Sequence, residues 1–317
     1  MKNNKKKALI LLNMGGPNSL DEVEIFLKNM FNDKNIITVK SNLFRSFVSF
    51  MIVTLRKKKT LSNYAKLDYK SPLIKYTKKL ISKLRLKLKD THVAYAMRYT
   101  PPFAKDVVEE LEQKNITEVM LLPLYPQYST TTTKSSLEDF KEALKPLHVK
   151  ILHVNRFYKN RIYNELLIEK IEEQLKNQKS KEFELIFSAH SLPQSIINKG
   201  DTYQNETLLH VELLKNILKE KNIVFNNIHT AYQSKLGPVK WLEPSLKSTL
   251  KSLTCKNIII SPISFTIDNF ETKFELSIEY KKIAHELGFK KYLVAKCPND
   301  SSKFIEVISE IYNNTKN

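Results

Sequence analysis

Short apolar runs recur along the chain, and the segments between them repeat apolar residues every three or four positions. Runs of this length, rich in Val, Ile and Leu, predict buried parallel strands, whereas the periodic segments predict amphipathic helices. The predicted strands cover 7–13, 92–99, 118–125, 149–157, 183–189, 227–234, 257–265 and 291–297. The clearest predicted helices cover 160–177, 204–220 and 272–287. Strands that alternate with helices indicate parallel sheets covered on both faces.

The predicted strands form two sets of four, which predicts two similar Rossmann-like α/β domains at 1–156 and 157–300. We expect the C-terminal helix within 301–317 to pack on the first domain. Polar turns follow six of the strands, at 13–17, 98–102, 125–136, 188–193, 232–238 and 263–271, and the first five contain glycine, proline or both. Because ligands of α/β sheets bind outside the carboxyl ends of the strands, these turns predict a cleft between the domains.

The segment FTIDNFETKFELSIEY spaces Asp268, Glu271, Glu275 and Glu279 three, four and four residues apart. At about 100° per residue, these positions fall within about 80° on one side of a helix, although like charges repel there. The neighbouring apolar stripe that would pack this helix on its domain consists of Ile267, Phe270, Phe274 and Ile278. A solvated face is the usual explanation of such a charge run. Here the predicted helix directly follows a buried strand, so its first turn is expected to face the cleft.

His190 lies at the carboxyl end of the strand predicted at 183–189. A lone histidine is more often structural than catalytic, but at the end of a strand the two roles are about equally expected. Carboxylates that converge on one imidazole suit a divalent metal, a proton relay or both. The chain lacks GxGxxG, GxxxxGK[ST] and GxSxG, and Phe289 replaces the second histidine that HExxH requires. These absences disfavour nucleotide binding, a serine nucleophile and a zincin site.

The composition is that of an ordinary globular protein, with 317 residues, 42% hydrophobic residues and a formal charge of +19. Such a charge attracts anionic partners, although a general lysine bias explains most of it. Nucleic acid is not expected, because zinc-finger spacing, RNP-type motifs and arginine clusters are missing. Cys255 and Cys297 cannot build a disulfide framework, a four-cysteine cluster or a thiolate zinc site, and they suit a reducing cytoplasm. The apolar run 8–12 is too short for a signal peptide.

Residues 41–59 predict a helix that is apolar almost all round and ends in Arg56 and three lysines. One interpretation is a buried helix with favourable cations at its C-terminus. The other is an exposed apolar lip, 43–59, that touches a membrane or clasps a flat apolar ligand bearing carboxylates. We favour the lip, because so few polar residues interrupt the apolar surface. The corresponding location is cytoplasmic, peripheral to the inner face of the membrane.

Long stretches of the chain closely resemble the ferrochelatase family, which inserts ferrous iron into a porphyrin. In the family's order and spacing, they are LLNMGGP, YPQYSTTTTKSSL, FSAHSLPQSIINKGDTY, YQSKLGPVKWLEP and PISFTIDNFETKFELSIEY. The resemblance covers nearly the whole chain. It implies two Rossmann-like domains around a porphyrin cleft, Fe²⁺ as a substrate, no prosthetic group and a monomer or weak dimer. Because the cysteines of cluster-bearing members are absent, no iron–sulfur cluster is expected.

The resemblance assigns roles to the histidine and the acids. His190 corresponds to the histidine that accepts a pyrrole proton or meets the metal, and Glu271 to its catalytic partner. Asp268, Glu275 and Glu279 correspond to an acidic path for metal or protons. Metallation expels two pyrrole protons while a dication enters, so such a site needs bases and negative charge. The family's helix here is often widened to a π-helix, which would keep the acids together.

Further residues match family positions that line the porphyrin: Met14, Arg98, Tyr99, Tyr125, Tyr128, Ser188 and Trp241. For Tyr99 and Trp241, a packing role is equally expected. Asn269 departs from the pattern, because many members carry a second histidine there. His190 and Glu271 would therefore carry more of the proton transfer.

The NMGGP stretch resembles the branch of the family that uses protoporphyrin IX, so the expected product is protohaem, the terminal step of haem synthesis. A coproporphyrin III ferrochelatase is the alternative enzyme, although that branch typically has a tyrosine near this position. A porphyrin or haem carrier without catalysis is the alternative from another class, and Asn269 is the feature that favours it. A nickel or cobalt chelatase for another tetrapyrrole fits the spacing less well.

Overall fold

The computed structural model describes residues 6–67, 70–235 and 237–316. The chain divides into two compact units after Asn155. Domain 1 comprises the chain up to Asn155 together with the C-terminal residues from Ile308 onward, and domain 2 comprises Arg156–Val307. Each is described below by itself.

Domain 1 contains a parallel sheet in the order β2-β1-β3-β4. Its strands are β1 (Lys7–Asn13), β2 (Thr91–Met97), β3 (Glu118–Pro123) and β4 (Lys150–His153). Its helices are α1 (Glu22–Asn32), α2 (Asn42–Ala65), α3 (Leu73–Lys87), α4 (Ala104–Gln113) and α5 (Ser135–Leu144). A π-helical turn at Thr130–Lys134 runs directly into α5, and a 3₁₀ turn at Lys145–Leu147 follows it.

Domain 2 repeats this plan with a parallel sheet in the order β6-β5-β7-β8. Its strands are β5 (Glu184–His190), β6 (Asn227–Gln233), β7 (Asn257–Pro262) and β8 (Lys291–Val294). Its helices are α6 (Arg161–Leu175), α7 (Gln194–Asn198), α8 (Tyr203–Glu220), α9 (Leu246–Ser252), α10 (Tyr280–Glu286) and α11 (Ser302–Lys316), of which α11 continues into domain 1. A 3₁₀ turn occupies Ser180–Glu182, and a π-helix at Glu271–Glu279 precedes α10.

The predicted pair of four-stranded parallel sheets is confirmed, and all eight predicted strands are present. Several end earlier than predicted. The strand predicted at 149–157 ends at His153, and the one predicted at 257–265 ends at Pro262. Apolar side chains continue beyond both strands because the following loops are also partly buried, so hydrophobicity alone does not mark where the ladder stops.

The central strands are buried on both faces, as the apolar runs predicted. In domain 1, Ile10 and Leu121 are fully buried and pack with Val107 and Phe140 from the covering helices. The register aligns the strand ends: Asn13 pairs with Met97, and in domain 2 His190 pairs with Gln233. The loops that follow these strands therefore start from one edge of each sheet.

The turn after β1 requires its glycine. Gly15 has φ of +89°, a conformation that L side chains rarely adopt, and a Cβ there would collide with the Thr100 hydroxyl. That hydroxyl also accepts a hydrogen bond from the Gly16 amide at 3.3 Å. The loops after β1 and β2 are thereby packed against each other.

Replacing Leu121 with alanine tests the two-sided burial of the central strand. We expect the Leu121→Ala variant to lose about 2–5 kcal/mol of unfolding free energy, because it removes fully buried methyl groups and leaves a cavity. Leu86→Ala is the matched control: Leu86 is 76% exposed on α3, so its loss should change stability by no more than about 0.5 kcal/mol. Urea unfolding of both variants measures the difference, and equal losses would contradict the assignment of the core.

Candidate active site

His190 is the last residue of β5, and hydrogen bonds hold both its backbone amide and its backbone carbonyl. The Ser264 hydroxyl accepts from the His190 amide at 2.9 Å, and the Tyr203 hydroxyl donates to the His190 carbonyl at 2.9 Å. The imidazole meets the ring of Phe265 edge-on, with centroids 6.2 Å apart. These contacts fix the backbone of His190 without using its ring nitrogens.

The His190 imidazole is half-buried and has no hydrogen bond to any residue that the structure describes. Its Nδ1 is fully buried. Loss of solvent lowers the pKa of His190 to about 4, so the ring is neutral near pH 7. A neutral imidazole with a free lone pair can accept a proton or ligate a metal ion.

The acidic segment is a π-helix over Glu271–Glu279, which agrees with the widening that the family resemblance implied. Its wider turn contains more residues than an α-helical turn, so a spacing of four remains close to one turn. Glu271, Glu275 and Glu279 thus share one side. Glu271 and Glu275 are half-buried, and Glu279 is exposed. The three carboxyl groups form a row that ends at solvent with Glu279.

The two inner carboxyl groups have raised pKa values. Burial is the main cause for Glu271. Burial, reinforced by the negative charges of Glu271 and Glu279, raises the pKa of Glu275 to about 8, although hydrogen bonds from Ser234 and Gln233 oppose the shift. The Ser234 hydroxyl donates to Glu275 Oε2. Near neutral pH, Glu275 therefore carries a proton that it can exchange.

Asp268 does not belong to this row, and its predicted place on the helix is wrong, because the helix begins only at Phe270. Asp268 is 1% exposed, and described residues bind both carboxylate oxygens. Oδ1 accepts from the Thr272 hydroxyl at 3.0 Å, while Oδ2 accepts from Asn299 at 2.9 Å and pairs with Lys273 at 3.0 Å. Its acidic-path role stays a prediction.

Asn269 caps the helix. Its side-chain oxygen accepts from the Thr272 amide at 3.0 Å, and the Thr272 hydroxyl accepts from the Asn269 amide at 3.0 Å. This reciprocal pair satisfies amides that the first turn leaves without partners. The residue that replaces the family's second histidine thus has a structural reason to be asparagine.

The apolar stripe predicted beside the acids is partly wrong. Ile267 and Phe274 are buried, but Ile278 is 40% exposed and Leu276 is buried instead. Phe270 stacks on Phe274 with centroids 5.0 Å apart. The π-helix rotates its later residues relative to an α-helix, which changes the side chains that face the core.

Two other predicted residues of domain 2 have different surroundings. Ser188 lies inside β5 with no exposed surface, and its hydroxyl donates to Gln233 Oε1 at 2.7 Å. Trp241 is half-buried and forms an isolated antiparallel bridge with Pro193. Ser188 is therefore placed to orient Gln233, whereas Trp241 retains an accessible surface.

In domain 1, Arg98 follows β2 and is surrounded by acids. Its Nη2 pairs with Asp33 at 3.2 Å and its Nη1 with Asp139 at 3.2 Å. Its Nε donates to the Ser135 hydroxyl at 3.0 Å. The Ser135 hydroxyl in turn donates to Asp33. Burial raises the pKa of Asp139 despite the nearby guanidinium.

Two of the predicted tyrosines in domain 1 are buried. Tyr99 is 1% exposed and its hydroxyl donates to Asp33 at 2.9 Å. The Tyr125 hydroxyl lies 3.3 Å from that of Ser136, and burial raises the pKa of Tyr125. Met14 and Tyr128 are half-buried and retain accessible surface after β1 and β3.

The comparisons with known proteins decide the family. The ferrochelatase family profile matches residues 6–316. A protein named ferrochelatase in Nitratiruptor sp. is 56% identical over 308 residues, covering 96% of this chain and 99% of its own. One in Sulfurimonas denitrificans is 49% identical over 311 residues, covering 97% and 98%. The chain belongs to the ferrochelatase family.

The fold of this ferrochelatase-family chain also occurs in a solved structure. SirB from Bacillus subtilis, solved with Fe³⁺, superposes with a TM-score of 0.56 at 10% identity, covering 98% of this chain and 95% of its own. Such a likeness concerns the fold alone. The shared architecture agrees with the chelatase-type domains that the sequence predicted.

Several residues that the sequence analysis did not single out form hydrogen bonds or ion pairs with the predicted site residues. Ser234, Tyr203 and Ser264 lie inside the quoted family stretches, so their proximity to the site was a usable signal. Asp33 and Asp139 lie in segments without any motif, and only the fold brings them to Arg98. Within the described ranges, no three His, Cys, Asp or Glu side chains form a group that could hold a metal ion.

Removing the Ser234 hydroxyl tests its control of Glu275. We expect Ser234→Ala to raise the pKa of Glu275 further above about 8, because the carboxylate loses a hydrogen bond that stabilises its charged form. Both side chains carry a Cβ, so the strain at φ of +68° is unchanged. Carboxyl-¹³C NMR titration, assigned with Glu275→Gln, measures the shift.

Ser277→Ala is the matched control for this titration. The Ser277 hydroxyl donates to the Thr272 carbonyl within the same π-helix, at 2.7 Å, and does not touch Glu275. Its loss should leave the pKa of Glu275 in place. A lowered or unchanged pKa in Ser234→Ala would refute the contact.

Proposed function

We propose that the protein inserts Fe²⁺ into protoporphyrin IX and releases two protons, the terminal, lyase-class step of protohaem synthesis. The observation that carries this proposal is that domain 2 contains both a neutral imidazole, His190, and two carboxyl groups with raised pKa values, Glu271 and Glu275. Family membership supports the reaction class. The substrate follows from the NMGGP resemblance, and coproporphyrin III is the competing substrate.

The reaction needs groups that take up two pyrrole protons while a dication enters. In the proposed mechanism, the free lone pair of His190 accepts a pyrrole proton or meets Fe²⁺ during its transfer. Its low pKa makes it a weak base that does not stay protonated near neutral pH. It therefore passes a proton on and regenerates its neutral form.

The carboxyl row completes the proposed mechanism. Glu271 gives the incoming dication a negative charge, because the approach of a cation lowers its raised pKa. Glu275 exchanges a proton near neutral pH, and exposed Glu279 passes it to water. In this mechanism, the order of burial along the π-helix gives protons an exit and metal an entry.

Asn269 is the feature that favours the carrier alternative, because many family members carry a histidine there. In this structure Asn269 caps the acidic helix. The proposed chemistry also requires no group at that position.

Substitution of the base and the inner acid tests the proposal. We expect His190→Ala and Glu271→Gln each to lower anaerobic Fe²⁺ insertion into protoporphyrin IX by at least about 100-fold, since each removes a group that handles protons or charge. Visible absorbance measures haem formation, and fluorescence quenching verifies that porphyrin still binds. His285→Ala and Glu286→Gln are exposed controls on α10 and should keep full rates.

The outcomes separate the alternatives. Full activity of both site variants would overturn the residue assignment. Faster turnover of the wild type with coproporphyrin III would replace the substrate. Tight porphyrin binding by the wild type without metallation of either porphyrin would favour a carrier.

The exposed face of α2 supports a second proposal, peripheral membrane contact. Its large apolar side chains, 45–86% exposed, are Leu43, Phe44, Phe47, Phe50, Met51 and Leu55. The interpretation of this segment as a buried helix is therefore wrong. Lys58 and Lys59 are exposed at the far end of this face. Apolar side chains beside basic ones suit the surface of an anionic membrane. No helix among the described residues is long and apolar enough to cross a bilayer.

Introducing negative charges on the exposed face of α2 tests membrane contact. We expect Phe47→Glu/Phe50→Glu to reduce co-flotation with phosphatidylglycerol vesicles about tenfold or more, because it replaces two apolar contacts with charges. Leu86→Glu, at an exposed position of α3, should float like the wild type. Unchanged flotation of the double variant would refute the proposal. A raised KM for porphyrin without altered flotation would instead mean that the face clasps the substrate.

A further inference from the structure

The amino-terminal edge of the domain 1 sheet contains an open cavity of about 540 Å³. The starts of β1 and β2, the end of α3 and the residues before β3 surround it. Because the strands are parallel, this edge lies opposite Met14 and Arg98, about 20 Å away along seven-residue strands. The cavity therefore lies away from the domain 1 residues that were predicted to line the porphyrin. Its volume is within the range of about 300–1,000 Å³ for small-molecule sites.

The lining is more basic than the protein as a whole. It contains five cationic side chains, Lys6, Lys7, Arg85, Lys89 and Lys114, and one acid, Asp90. Two neighbouring acids neutralise two of the five cations: Glu110 lies 3.9 Å from Lys114, and Glu118 lies 3.9 Å from Lys7. The charge available to a ligand is therefore that of Lys6, Arg85 and Lys89.

Three of these cations have no ion pair with any described residue, and backbone carbonyls hold two of them. Arg85 Nε donates to the Val93 carbonyl at 2.8 Å, and Lys6 Nζ donates to the Lys114 carbonyl at 3.2 Å. The outer nitrogens of Arg85 remain free to bind two oxygens of one anion. Lys89 is exposed beside them. Holding the cations before the ligand arrives reduces the entropy lost on binding.

His92 also lines the cavity. Burial is the main cause that lowers its pKa; the carboxylate of Glu110, 3.2 Å from Nε2, raises it, and the smaller effects of Lys114 and Arg85 lower it. An anion bound among the cations would offset the effects of Lys114 and Arg85, so it would raise the pKa of His92.

We propose that this cavity is a second ligand site that binds a compact polyphosphate group, of the size of a di- or triphosphate. Val93 and Ile116 give it an apolar floor. The Arg85 fork matches the oxygens of a phosphate, and the lysines act as point charges on the remaining ones. The cavity is large enough for more than a single phosphate ion. Free inorganic polyphosphate and the phosphates of a nucleotide share this chemistry.

The test uses inorganic triphosphate and the full-length protein at constant ionic strength. Calorimetry should show one saturable site, and ¹H–¹³C NMR should show the pKa of His92 rising when triphosphate binds. Lys89→Gln/Lys114→Gln should weaken binding at least about tenfold and abolish the change at His92. Lys247→Gln/Lys251→Gln, two exposed lysines on α9 of domain 2, is the matched control and should bind like the wild type.

Each result bears on the proposal. Equal binding by the two double variants would mean diffuse attraction to a basic protein and would overturn the site. No saturable binding, or no response of His92, would overturn it as well. Competition by ATP at the same His92 signal would identify a nucleotide as the source of the phosphates. Competition only by long-chain polyphosphate would identify the free polymer. Haem formation plays no part in these readouts, so the proposed chelatase function is not at stake.

Discussion

Loss of solvent around a few ionisable side chains is the constraint on which the candidate site depends. It keeps His190 neutral and raises the pKa values of Glu271 and Glu275. Such shifts require a scaffold that does not rearrange to admit water. The parallel sheet of domain 2 provides it, because β5 is buried along its length and its last residue is held at both its amide and its carbonyl. Packing thereby determines the chemistry available at His190.

The π-helix determines which side chains of the acidic segment are removed from solvent. A regular α-helix would still collect the acids on one side, but the π-helix also turns Leu276 into the core and Ile278 toward solvent. Asn269 and Thr272 cap its first turn, and Asp268 is bound in the preceding loop. The start of the segment is therefore fixed by neutral and paired groups, and the three glutamates that follow lie on one side of the helix.

In domain 1, the charged residue at the carboxyl edge of the sheet is stabilised by ion pairs rather than kept neutral by burial. Arg98 is matched by two carboxylates, Asp33 and Asp139, and Asp33 also accepts from Tyr99. A half-buried guanidinium with this many acceptors is fixed in position. A substrate carboxylate that approached Arg98 would have to compete with Asp139, the more exposed acid. The arginine predicted to meet porphyrin is thus also part of the support of its own domain.

The sequence by itself determined the two parallel sheets, their eight strands, the family and the identity of His190 and the glutamate row. Those features follow from local apolar periodicity and from long contiguous motifs. Only the tertiary structure decided that Asp268 is enclosed by Asn299, that Asp33 and Asp139 bind Arg98, and that α2 exposes its apolar face. The physical reason is sequence distance. Burial and long-range pairing depend on partners dozens of residues away, and a single sequence without a motif at those partners does not specify which of them meet.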